Sequence, residues 1–356
     1  MKHLPLLSAI LAVLLFGCGR DSSKPGSYSP YEKVFASGKP ISFGEDADIY
    51  LFAGAENLER SAAVLDSSLT RKILLTDEEQ YFNLIAKGIG EIDDYLKYKN
   101  LLLLGTLDGT DGVSVHLKQS LAPDLVAKVR QSGAELLVVK NEYVRDQLIL
   151  YLLASDSARL LQLTRQRADQ LFGYYLERYQ QRLGYQVYKD QVVPEGFFKD
   201  RPFTIQVPVR YQIFADDRKG RFLSYIFQPT QPSRATPDKY ISVYYEAMPE
   251  NQVDADWIYA KRQELGKQYF NGDRIRDSRF TSERSAIAGH EGWRLYGHWI
   301  NPDLGGGVGG AFQTFAFWHA PTRTAFLVDN IVYFPDGAKL PAILELGVIS
   351  QSLAVK

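Results

Sequence analysis

Phe203-Thr204-Ile205-Gln206-Val207-Pro208-Val209-Arg210-Tyr211-Gln212-Ile213 alternates apolar and polar side chains without a break. Side chains two apart on a strand share a face, so one face is expected in a core and the other in water. The buried set is Phe203, Ile205, Val207, Val209 and Tyr211, against the more exposed Thr204, Gln206 and Arg210. Pro208 cannot donate to a ladder and favours an edge or a bulge. Downstream, Asp216-Asp217-Arg218-Lys219-Gly220 turns the chain into a second strand, Phe222 to Phe227, and Tyr240 to Tyr245 reads as a third. Trp257, Ile258, Leu265 and Tyr269 form a helical stripe that Asp254 can cap. Strands near 290–300, 311–320 and 324–334 follow as a meander. A last helix carries Leu340, Ile343, Leu344, Gly347 and Val348, with Pro341 in its first turn. Strand runs with segregated helices predict an α+β sandwich, its sheet covered on one face and exposed on the other.

Upstream, Ser155 to Leu183 reads as one long helix through Ala158, Leu161, Ala168, Phe172, Tyr175 and Tyr179. Ser155 or Ser157 would cap it and Gly184 would stop it. Arg159, Arg165, Arg167, Arg178 and Arg182 make its other face basic, read as a solvated face in preference to a contact with acidic lipid or polymer. Before the helix, the runs at Ile49–Ala53, Leu101–Leu104, Leu136–Val139 and Gln147–Ala154 suit strands covered on both faces or nearly so. Leu58, Ala62 and Leu65 mark one helix, and Leu121, Leu125 and Val129 another. The fold class is therefore α+β: two αβ sandwich-like halves, residues 46–154 and 195–356, joined by a helix over 155–184, the second half with a mainly antiparallel sheet.

The N-terminus is a separate story. Lys2 and His3 precede an almost wholly apolar run from Leu4 to Phe16, then Gly17-Cys18. Such a run covers about 20 Å as a helix, short of the roughly 30 Å hydrocarbon core. It reads as a secretory signal peptide over residues 1–17. The segment resembles the lipobox of bacterial lipoproteins, with Phe16 at a place where a small residue is usual. That resemblance implies lipid on Cys18, the single cysteine of the chain, leaving no thiol for a disulfide, catalysis or a metal. Residues 18–45, rich in Ser, Gly and Pro, read as a flexible tether of roughly 28 Å. No acidic run follows Cys18, which by analogy with other lipoproteins predicts an outer-membrane anchor facing the periplasm.

Lys and Arg number 41 and Asp and Glu 42, a formal charge of −1, so no broad basic face is available for nucleic acid. With 22 Tyr and 19 Phe beside 2 Met, the interior is expected to be rich in strands.

The second half carries a further resemblance. Gly292-Trp293 to Trp299 is followed by Gly309-Gly310-Ala311-Phe312, then Val332-Tyr333-Phe334-Pro335 and a closing helix with Leu344-Glu345. This order is similar to an uncharacterised family of bacterial envelope lipoproteins, the domain of unknown function numbered 4837. There a Gly-Gly-Pro-Phe element sits between the last strands and a Tyr-x-Pro precedes the final helix; Ala311 stands where proline is usual. The likeness extends to Asp146-Gln147 leading into a strand in the first half. It implies a lipoprotein of this architecture and supplies no catalytic residue.

Chemical motifs are sparse. His290-Glu291 and His298 do not make a zinc helix, since Arg294 stands where the second His belongs. On a strand the two His would lie about 27 Å apart, so no metal is expected. Gly305–Gly310 precedes a strand and lacks the Lys-Ser/Thr of a phosphate loop, so it reads as a hairpin connection. Gly105–Gly112 follows a strand and reads as a loop; backbone groups there suit an ion, but calcium-loop spacing is absent. No cofactor motif and no G-x-S-x-G elbow occurs. Asp329 is the one carboxylate inside an apolar strand, and Arg294, His298 and His319 are its candidate partners. Trp293, Trp299 and Trp318 suit core packing better than sugar stacking. The favoured reading is a non-catalytic envelope lipoprotein, held to the membrane through Cys18, that binds or scaffolds an envelope protein or polymer. The alternative is an envelope hydrolase using Asp329 with His298 or His319.

Overall fold

The computed structural model describes residues 38–229, 236–304 and 307–356. The expected signal peptide, Cys18 and the tether up to residue 37 lie outside the described residues.

The first half is an open sheet ordered β4-β1-β5-β7-β6. Its strands are β1 (Asp48–Ala53), β4 (Asn83–Lys87), β5 (Asn100–Thr106), β6 (Ala134–Lys140) and β7 (Leu148–Ala154). All neighbours run parallel except β6, which is antiparallel to β7. A small hairpin, β2 (Lys72–Leu74) and β3 (Glu78–Gln80), sits apart. β5 and β7 are buried along their whole length, as their continuous apolar sequences predict, whereas β6 is a half-buried edge. Helices α1 (Ala55–Leu69) and α5 (Ser157–Tyr188) cover one face. The other face packs against α2 (Ile92–Tyr95), α3 (Gly112–Ser120) and α4 (Pro123–Ser132). The single stripe expected through Leu121 to Val129 is two helices, because Leu121 terminates α3 and Pro123 opens α4.

Three features of α5 depart from expectation. Asp156 caps it, accepting from Arg159 N at 2.9 Å, and not Ser155 or Ser157. Its buried stripe begins at Leu160, Leu163 and Thr164, with Ala158 exposed. It runs through Gly184 to Tyr188, because packing of Arg182, Val187 and Tyr188 outweighs the glycine's propensity cost of about 1 kcal/mol. The basic face also divides. Arg159, Arg165 and Arg167 are exposed, but Arg178 and Arg182 are buried. Arg182 Nε lies 2.7 Å from Asp146 Oδ1, its Nη2 donates to Asn100 Oδ1 at 2.9 Å, and Arg178 Nη2 donates to Asn141 Oδ1 at 2.6 Å. Burial pushes the Asp146 carboxyl up, and Arg182 pulls against it.

The second half holds an antiparallel sheet ordered β12-β13-β14-β15-β11-β10-β9. Its strands are β9 (Gln212–Asp217), β10 (Phe222–Phe227), β11 (Asp238–Ala247), β12 (Arg274–Ile287), β13 (His290–Ile300), β14 (Gly309–His319) and β15 (Thr324–Tyr333). β12 escapes sequence reading because an edge strand carries charge; its RIRDSRFTSERSAI shows no apolar period. The expected single wet face is absent. Helix α6 (Ala255–Tyr269) covers one face with Leu295, Phe312, Leu327 and Ile331. Helix α7 (Leu340–Ser350) covers the other, in a core that continues through α5 and α1 to the first sheet. Glu345 on α7 ties that helix to the sheet, accepting from Lys239 Nζ at 2.7 Å and Arg210 Nη2 at 3.2 Å.

The alternating stretch at 203–213 is not one strand. β8 (Phe203–Thr204) pairs with β16 (Ala354–Val355), and Val192 and Pro208 form an isolated bridge. Pro208 offers no donor, and Tyr211 N closes a turn on its carbonyl at 2.9 Å. Phe203, Ile205, Val207 and Tyr211 are buried, as the alternation predicts. Val209, past the proline, is 51% exposed.

Candidate functional site

Asp329 sits midway along β15, fully buried under α6. The registers place Ser224, Ser242, Asp329 and Thr314 side by side across β10, β11, β15 and β14. All four are buried, and this row of small polar side chains accommodates the guanidinium of Arg262 from α6. Arg262 Nε lies 2.9 Å from Asp329 Oδ2, and Thr314 Oγ1 donates to Asp329 Oδ1 at 2.6 Å. Burial raises the Asp329 carboxyl, while Arg262 and Thr314 oppose the rise. Nearby, Asp273 accepts from Asn301 Nδ2 at 2.7 Å; burial pushes its carboxyl up to about 6, against the pull of Asn301 and Arg262.

The sequence-derived partners of Asp329 are elsewhere. Arg294, His298 and His319 belong to the opposite parity of β13 and β14, on the side of Tyr296, Phe315 and Phe317. Arg294 pairs with Glu283 at 2.6 Å and touches Gln313 Oε1 at 3.5 Å. His298 Nδ1 lies 3.4 Å from Arg276 Nη1, and burial first, then Arg276, lowers its pKa. His319 Nδ1 is 2.9 Å from Thr322 Oγ1, at the strand end and about 17 Å along β14 from the Asp329 row. The four residues do not converge, and the pairing that matters was missed. Its signal was available: Ile258, Arg262 and Leu265 fall on one helical face, so an arginine occupies the apolar stripe.

His290 stacks on Phe317 with centroids 4.4 Å apart, and no His, Cys, Asp or Glu cluster fit for a metal occurs among the described residues. Trp299 packs in the core; Trp293 lies under Arg284 and Trp318 Nε1 donates to Met248 O at 2.8 Å. No helix among the described residues is long and apolar enough to cross a membrane.

A cleft of about 550 Å³ opens at the carboxyl ends of the parallel strands. β1 leads through α1 to β4 on one side, while β5 leads through α3 and α4 toward β7 on the other. This reversal of direction between β1 and β5 is where open α/β sheets form crevices. The Gly105–Gly112 loop forms one wall, and Gly54 and Asn57 of the α1 start form another. Lys118 Nζ clamps the loop by donating to Gly109 O at 2.6 Å. Asp111 caps α3, accepting from Val113 N and Ser114 N at 3.1 and 3.0 Å. A methyl group on Gly54 would strike the Asp111 carboxyl, so the two walls meet only because residue 54 lacks a side chain.

Comparison with known proteins bears on the second half. Residues 195–352 match the family model Domain of unknown function (DUF4837). The matched span contains Gly309–Phe312, Val332–Pro335 and Glu345, on which the resemblance rests. No curated protein matches the chain. Among solved structures, the Ran-binding protein Mog1p of Saccharomyces cerevisiae is 11% identical, over 43% of this chain and 90% of its own, with a TM-score of 0.30. LpqN, involved in cell envelope biogenesis of Mycobacterium tuberculosis, is 13% identical over 43% of this chain and 82% of its own, at 0.27. Cyanobacterial PsbP from Synechocystis is 8% identical over 44% and 87%, at 0.28. Likeness at this level carries no argument about fold or function.

Proposed function

We propose that this protein is a non-catalytic binding or scaffolding module, held on the outer membrane by lipid on Cys18, facing the periplasm, and engaging an envelope protein or polymer. The observation that supports the non-catalytic reading is the separation of the polar residues of the large sheet. Asp329 is taken up by Arg262 and Thr314 on one face, while His298 and His319 belong to the other. A hydrolase built on Asp329 needs one of those imidazoles within hydrogen-bond reach. The anchoring reading rests on the lipobox-like Leu15-Phe16-Gly17-Cys18 and the tether that follows it. Growth of expressing cells with an alkyne-tagged fatty acid tests it. The wild type takes up label and sediments with membranes, and Cys18→Ala loses the label and accumulates as precursor. Equal labelling of the two overturns the anchor.

A further inference from the structure

We propose that the amino end of the first sheet lies against the phospholipid surface to which Cys18 anchors the chain, with Ile41, Phe43 and Tyr143 entering the headgroup layer. The proposal rests on the anchoring reading above and adds to it the face that meets the bilayer.

The residues after Gly38 cross the amino ends of β5 and β7. Arg145 N donates to Pro40 O at 3.0 Å and Lys39 Nζ to Asn141 O at 2.6 Å, which holds one side to the turn between β6 and β7. Phe43 N donates to Lys97 O and Lys99 N to Phe43 O, both at 2.9 Å, which holds the other side to the start of β5. The backbone is thus well fixed, yet its large apolar side chains point outward. Ile41 is 66% exposed and Phe43 58%, and Tyr143, on the adjoining turn, is 41% exposed. Apolar side chains gathered on a fixed surface mark a place of contact. Tyr98 stands 6.2 Å behind Phe43, and Tyr95 4.7 Å behind Tyr98. Rings with a polar tip suit the boundary between acyl chains and headgroups.

Where the chain arrives says what covers this face. Only residues 19–37 stand between Cys18 and Gly38, and a random coil of nineteen residues spans about 24 Å. The seven residues of β5 place the opposite end of the sheet about 23 Å further off. An anchored chain therefore presents the Ile41 face to the bilayer first.

Charge points the same way. Lys39, Lys97 and Arg145 are set here against Glu142 and Asp93, which act on the Tyr143 hydroxyl. A face of mixed sign holds an anionic polymer poorly, whereas a headgroup layer carrying both signs answers it. Lys97 Nζ lies 6.0 Å from the Phe43 ring centre, so its ammonium reaches phosphate while its stem and the ring lie deeper.

Spin labelling of the full acylated chain in phosphatidylethanolamine–phosphatidylglycerol vesicles tests the contact. Nitroxides are attached through Ile41→Cys, Phe43→Cys or Tyr143→Cys, and through Thr110→Cys in the loop at the other end of β5. With Cys18 acylated, each variant offers one free thiol. All four positions are exposed, so the substitutions leave the fold intact. The ratio of collisions with dissolved oxygen to collisions with an aqueous nickel chelate should be about threefold or more higher at the first three positions than at the fourth. Equal ratios on a chain that floats with the vesicles overturn this proposal and leave the anchor standing. Labels shielded from both reagents reveal protein on the face and overturn it as well. Intact mass reads the acyl chains on Cys18, and a chain without them overturns the anchor and this proposal together.

Discussion

Arg262 Nε lies 2.9 Å from Asp329 Oδ2, and neither side chain reaches solvent. The pair crosses from α6 to the centre of β15. A charge buried this deeply persists only with a partner, since an isolated ion in a low-dielectric interior carries a large desolvation cost. The flanking Ser224, Ser242 and Thr314 supply small volume and hydroxyls where a run of valines would leave no room.

Asp273 makes stability depend on pH. Burial raises its folded carboxyl from 3.8 to about 6, with Arg262 and Asn301 opposing and Asp329 adding to the rise. Between those values the folded chain holds a proton that the unfolded chain releases. The contribution of this group is therefore full below about pH 4 and lost as pH rises through about 6. Asp273→Asn should stabilise the protein at pH 7 by on the order of 1 kcal/mol and flatten this part of the profile. Denaturant unfolding of both proteins from pH 4 to 7 measures the difference.

Glu79 of β3 caps a helix in the other half. Its Oε1 accepts from Lys339 N at 2.8 Å and its Oε2 from Leu340 N at 2.7 Å, at the start of α7. Glu79→Ala should cost about 1 kcal/mol by loss of the cap, and Glu79→Gln roughly half of that. Urea unfolding checks both, and equal values for wild type and Glu79→Ala would show that the contact contributes nothing.

Phe203 and Val209 separate true burial from mere alternation. Phe203 is 0% exposed and Val209 is 51% exposed. Phe203→Ala should destabilise by about 3–5 kcal/mol through cavity formation, and Val209→Ala by less than about 0.5. Comparable losses at both positions would restore the uninterrupted strand.

Much of this architecture is legible because burial leaves a periodic mark. β5 and β7 are runs of leucine with both faces covered, and in α7 the expected Leu340, Ile343, Leu344 and Val348 are buried, although Ala342, Leu346 and Ile349 are buried as well, so the helix is covered on more than one stripe. What escaped follows from groups whose local sequence conflicts with their tertiary place. β12 is an edge and looks like a charged loop, while Arg178 and Arg182 look solvated but find Asp146 and Asn100 far along the chain. The oddity of Asp329 and that of Arg262 within an apolar stripe were each readable; their pairing was not, because strand register and the face beneath α6 are set by long-range packing. The cleft is likewise a product of strand order, which periodicity does not encode.

The most direct measurement of whether the ionisable residues of the large sheet serve the fold is a double-mutant cycle on Arg262 and Asp329. Unfolding free energies are needed for the wild type, Arg262→Met, Asp329→Asn and the double variant. Each single change should cost about 3–5 kcal/mol by stranding a buried partner. The double should cost less than their sum by more than about 1 kcal/mol. Single losses below about 1 kcal/mol that simply add in the double variant would contradict a structural pair.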